Sequence, residues 1–90
     1  MKIEIKETGM FMEYKNFHFA DIYDIYYDGK LVGKKMVDKG IKMWYAIYFD
    51  SENESKIKLP EGCNFGENVI YTHNIKHVVE ILELINNIRV

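Results

Sequence analysis

The residue types best suited to chemistry in this chain are Cys63, His73 and His77. The two histidines are spaced i, i+4 where a helix is expected to begin, a spacing that puts both imidazoles on one face. Zinc could use them with Cys63 as a third ligand. The set is incomplete for that purpose, because no Glu stands beside His73, no second Cys exists and no paired CxxC is present. The residues favour His73 in the helix-capping region and His77 flanking the apolar face, so neither metal nor cofactor is expected. Cys63 with a nearby His could also be a nucleophile and its base. Glu61 and Glu67 flank it, however, and neighbouring carboxylates oppose thiolate formation. An inert, half-buried cysteine is expected instead.

Asp50, Glu52 and Glu54 alternate along a polar segment and could offer oxygens to a hard cation. A calcium loop of the EF-hand type needs Gly at its sixth position, where this chain has Ser55. A solvated acidic loop is the expectation. Gly29 to Lys35 has a faint likeness to a phosphate-binding loop, but Gly29 and Gly33 are too close together and Lys35 occupies the Ser/Thr position. Lys30, Lys34, Lys35, Lys39 and Lys42 nevertheless give this edge a positive character. Lysines often guard an edge strand against intermolecular pairing. As an alternative function, Lys30, Lys34, Lys35 and Lys42 would form an electrostatic rail for nucleic acid beside an aromatic sheet face.

The seven tyrosines are the most suggestive feature of the composition. In residues 22–27, Tyr23, Ile25 and Tyr27 share one face of a strand, which leaves Tyr26 to project outward beside Asp24 and Asp28. Tyrosine supplies large amphipathic contact area and is enriched at protein interfaces. Trp44, between Met43 and Tyr45, reads as core.

The elements that must position these residues follow from periodicity. Residues 2–6 alternate as a half-buried strand. Thr8-Gly9 is expected to turn the chain into a second strand over residues 10–19, with Glu13, Lys15 and Asn16 as its wet middle. Residues 22–27 form a third strand, ended by Asp28-Gly29, the strongest hairpin signal present. Residues 31–37 return, with Gly33 marking a bulge or close approach. Lys39-Gly40 turns again into residues 41–49, apolar on both faces and therefore central. Residues 50–55 are read as a loop, 56–59 as a short strand and 69–71 as a last strand. Thr72 or Asn74 caps a C-terminal helix. Lys76, Glu80, Glu83 and Asn87 line its polar stripe, while Ile75, Val78, Val79, Leu82 and Ile85 face the sheet. Ile81, Leu84 and Ile88 widen the apolar arc beyond one contact face, a surplus that suits a partner or a homodimer seam.

The expected fold is α+β, an antiparallel meander sheet of four to six strands with one C-terminal helix packed on a face, in a single domain over residues 1–90. The apolar fraction of 48% is ample for a core. No apolar run approaches the roughly 18 residues that span a bilayer, and no membrane partner is expected. The first residues carry no signal-peptide pattern, and the single cysteine fits a reducing compartment. Eleven Lys to one Arg, with only two Ala, suggests an AT-rich genome. The expected location is therefore the cytoplasm of a bacterial, archaeal or virus-infected cell. A net charge of −2 excludes a chain-wide basic field for duplex nucleic acid. The reading favoured is a non-catalytic protein-binding module with Tyr26, Asp24, Asp28, Ile81, Leu84 and Ile88 at the interface. Its size and composition suit a phage or mobile-element inhibitor that blocks a host protein. Nucleic-acid binding is the alternative, and a small metal or Cys/His enzyme is the second.

Overall fold

The computed structural model describes residues 2–14, 18–38 and 42–88, with the backbone alone for Tyr14 and His18. Its strands are β1 (Ile3–Tyr14), β2 (His18–Tyr27), β3 (Lys30–Asp38), β4 (Lys42–Tyr48), β5 (Asn64–Gly66) and β6 (Val69–Thr72), and its helix is α1 (Ile75–Ile88). The strands form one antiparallel sheet in the order β1-β2-β3-β4-β6-β5, with α1 packed on it, which is the expected α+β meander. One step departs from strict sequence order, since β5 pairs on the outer side of β6. The chain divides into two compact units, Met1–Trp44 and Tyr45–Val90.

In the first unit β1 and β2 pair from Ile3↔Tyr27 to Tyr14↔His18. Thr8-Gly9 does not turn the chain. The register steps from Glu7↔Tyr23 to Phe11↔Asp21, so residues 8–10 form a bulge opposite Ile22. The Thr8 hydroxyl stitches it, donating to the Ile22 carbonyl at 2.7 Å and accepting from the Met10 amide at 3.1 Å. Gly9 takes the positive φ of 73° that the bulge demands. A turn dipeptide was thus absorbed into one long strand because its side chain replaced the missing strand hydrogen bond.

Asp28 and Gly29, at φ 50° and 82°, close the expected two-residue hairpin between Tyr27 and Lys30. Next to Gly33, Val32 is the extra residue of a second bulge, because Ile25 pairs Gly33 while Tyr26 pairs Leu31. Ala20, Ile25 and Met36 are buried. The expected wet middle at Lys15 and Asn16, Phe17, and the Lys39-Gly40 turn into Ile41 lie outside the described residues.

In the second unit Tyr45, Ala46 and Ile47 are buried in succession, as a strand covered on both faces requires. Ile47 and Tyr45 pair with Ile70 and Thr72 of β6, and those two residues are also buried. The segment after β4 is not a plain loop. Ser51–Lys56 is a 3-10 helix capped by Asp50, whose Oδ1 accepts from the Glu52 amide at 3.0 Å. The strand expected over residues 56–59 does not form, because Lys56 closes the 3-10 helix and irregular chain follows. The strand that follows is β5, which sequence reasoning missed because Asn-Phe-Gly is short and lacks a repeating apolar pattern.

Helix α1 begins after Asn74, whose Oδ1 accepts from the Lys76 amide at 2.9 Å, while Thr72 Oγ1 accepts from the Asn74 amide at 3.2 Å. Of the two expected capping residues, Asn74 is therefore the cap, and Thr72 holds Asn74 in place. The polar stripe Lys76, Glu80, Glu83 and Asn87 is exposed as expected. The buried face is rotated from the expected one: Val78, Ile81 and Leu82 are its centre, and Ile75 is exposed.

Candidate functional site

The expected interface residues separate into two groups, one in each unit. On the β2–β3 hairpin, Asp24 is held by Lys34, whose Nζ lies 3.1 Å from Asp24 Oδ1. Tyr26 is half-buried, with Lys6 Nζ 5.0 Å from its ring centroid. Asp28 is exposed, but its Oδ1 accepts from the Lys2 amide at 2.8 Å and so serves the turn. On α1 the surplus-face expectation needs correction. Ile81 is 0% exposed and belongs to the core, because the helix buries the i, i+3, i+4 set starting at Val78. Leu84 and Ile88 are half-buried. Leu84 lines a shallow open groove with Leu59, Pro60 and the aliphatic stem of Lys58.

The lysines proposed as a rail do not share a face. Lys34 pairs in register with Asp24 and Lys35 with Tyr23, so neighbouring lysines project to opposite sides of β3. Lys35 Nζ stands 5.9 Å from the Tyr23 ring centroid. Lys30 and Lys42 are exposed.

Cys63 and His77 do meet, with Sγ 3.5 Å from Nδ1. The same nitrogen lies 3.5 Å from Thr72 Oγ1. With the Cys63 amide donating to the Pro60 carbonyl at 3.2 Å, the pair ties the turn before β5 to the start of α1. His73 takes no part in the expected i, i+4 geometry, because it precedes the helix and the 3.6-residue repeat does not extend to it. Among the described residues no three His, Cys, Asp or Glu side chains converge as metal ligands. Asp50 spends its carboxylate on the 3-10 cap, and Ser51 and Asn68 exchange hydrogen bonds of 2.9 and 3.3 Å that dock this segment on the β5–β6 turn.

Among the described residues, the most exposed large apolar side chains lie where sequence reasoning placed no site. On the β1–β2 arm beyond the Thr8 bulge, Met10 is 64% exposed, Phe11 66%, Met12 38% and Phe19 49%. Phe11 and Phe19 project from the same side of the arm, since Phe11 pairs with Asp21 two residues from Phe19. Their rings meet edge to face at 5.6 Å. The apolar alternation was visible in the sequence, but alternation alone does not say which face a sheet leaves in water. Among the described residues the exposed tyrosines are Tyr48 and Tyr71, which share a face of the β4–β6 pair. Among the described residues no helix is long and apolar enough to cross a membrane. In comparisons with protein families, curated proteins and solved structures, nothing matches this chain.

Proposed function

We propose that this chain is a non-catalytic protein-binding module that engages another protein through the β1–β2 arm. The observation that supports this reading is the exposed pair Phe11 and Phe19 on one face of the hairpin, with exposed Met12 on the other face and exposed Met10 in the bulge. Scattered exposed hydrophobics are ordinary, but large ones gathered on both faces of one short strand pair mark an interaction surface. Methionine and phenylalanine suit that use. Aromatic residues and Met are enriched at interfaces, and the flexible thioether adapts to irregular partner surfaces. Glu13 and Asp21 beside the aromatic pair would supply a polar rim. A small chain of AT-biased composition that binds in this way suits a phage or mobile-element inhibitor acting on a host protein in the cytoplasm.

The test is affinity capture with matched variants. Wild-type protein and a Glu83→Gln control should retain the same partner, and a Phe11→Ser/Phe19→Ser variant with unchanged circular dichroism should lose it. Equal capture by all three would refute the arm as the binding surface.

A further inference from the structure

β1 ends the sheet, and the direction of its backbone groups can be read from its first contacts with the β2–β3 turn. The Asp28 amide donates to the Lys2 carbonyl at 2.8 Å. Backbone groups alternate sides along a strand, so Glu4 and Lys6 also address β2, opposite Tyr26 and Asp24. The two-residue hairpin requires the same parity, because Tyr27 and Lys30 close it and Tyr27 must therefore face β3. Ile3, Ile5 and Glu7 thus direct their amides and carbonyls to the outer side of the sheet. This regular stretch stops at the Thr8–Met10 bulge.

We infer that the stretch pairs with a second copy of the chain, antiparallel across a two-fold axis at Ile5. Ile5 then faces its counterpart, and Ile3 faces Glu7 of the second copy. These are the residues with outward backbone groups, and each facing pair exchanges hydrogen bonds. The inference does not depend on the binding role of the arm.

Charge allows two registers, an axis at Ile3 that sets Lys2 opposite Glu4 and the axis at Ile5, and strand length selects the second, because residues 3–7 all lie in β1. With the axis at Ile5, Glu4 falls opposite Lys6 of the second copy and Lys6 opposite its Glu4. Opposite charges across a strand pair stabilise it, and like charges destabilise it. An axis at Glu4 sets Glu4 on Glu4 and Lys2 on Lys6, and an axis at Lys6 sets Lys6 on Lys6. An axis at Glu7 runs into the bulge. Parallel in-register stacking places every charge on its own kind, which disfavours open-ended assembly. The side chains already lie within reach of one another along the edge, with Lys2 and Lys6 Nζ 3.6 and 3.7 Å from the Glu4 carboxylate. Ile5, on the other face, is 37% exposed. Edge strands usually carry charge to prevent pairing, but the Glu4-Ile5-Lys6 order is complementary to itself when reversed. A closed two-fold interface uses that complementarity once.

Sedimentation equilibrium of the intact chain at low salt, over a wide concentration range, tests this. Wild type should form a dimer. Glu4→Lys should raise its dissociation constant about tenfold, and the swap Glu4→Lys/Lys6→Glu should restore it. Ile5→Pro should abolish the dimer with the fold retained, because the Ile5 amide lies outside the β1–β2 ladder. If that variant unfolds, the charge swap alone decides. A wild-type monomer at every concentration overturns the inference. So does a dimer that Glu4→Lys leaves unchanged, or one lost only on Phe11→Ser/Phe19→Ser.

Discussion

Lys34 Nζ lies 3.1 Å from Asp24 Oδ1 across the β2–β3 pair, and the two side chains neutralise each other. Sequence reasoning gave these residues to different functions, Asp24 to a protein interface and Lys34 to a nucleic-acid rail. In register they are direct neighbours. Side-chain exposures of 39% and 23% keep the pair in contact with water, so its contribution is modest. A double-mutant cycle with Asp24→Asn and Lys34→Met should give a coupling of about 0.5 kcal/mol that shrinks in high salt. A coupling above about 2 kcal/mol would mean that the pair is effectively buried.

Gly29 carries a backbone requirement without a packing one. Its φ is 82°, and nothing lies within 4 Å of where a Cβ would stand. Gly29→Val should therefore destabilise the protein by about 1–2 kcal/mol through the turn alone. Gly29→Asn, which tolerates positive φ, should recover most of that loss. Urea unfolding of the three proteins checks both expectations.

Gly66 presents the opposite case. It needs no positive φ, but a Cβ there would press on the Tyr71 ring and lie 2.9 Å from Val69 Cγ2. Gly66→Ala should cost about 1–3 kcal/mol, the usual penalty of overpacking. Trimming Tyr71 to Ala in the same chain should relieve part of it, which thermal melts of the single and double variants would show.

Ile81 and Leu84 are three residues apart on α1 but differ in role. Ile81→Ala should destabilise by about 2–5 kcal/mol, because it empties a fully buried site. Leu84→Lys should cost less, because its longer stem can lie in the groove beside Leu59 and Pro60 with the ammonium in water. Equal losses in denaturant titration would place Leu84 in the core as well.

Burial pushes the Tyr45 hydroxyl above its ordinary pKa of 10.0. Between that value and the higher folded one, only the folded chain keeps the proton, so unfolding releases it. Stability contributed by the neutral phenol is complete below pH 10 and is lost as pH rises through the folded value. Wild type should therefore melt earlier with rising alkaline pH, and Tyr45→Phe should show a shallower decline. Parallel slopes in the two proteins would remove Tyr45 as the cause.

The sequence by itself determined the features that depend on neighbouring residues. Asp28-Gly29 had to turn, because its residues accept positive φ at low cost. Asn74 had to cap, because its side-chain oxygen reaches an amide of the first helical turn. Period-2 and period-3.6 alternation set the strand-rich body and the C-terminal helix. Other features depended on contacts distant in the chain, and only the tertiary structure decided them. Thr8-Gly9 became a bulge because the Ile22 carbonyl was there to accept the hydroxyl. Asn64–Gly66 became a strand because β6 offered an edge. Ile81 was buried and Ile75 exposed because the helix settled on the sheet at one rotation among several that its wide apolar arc allows. The exposure of Phe11 and Phe19 follows from the same limit: alternation divides a strand into two faces, and only packing decides which of them meets water.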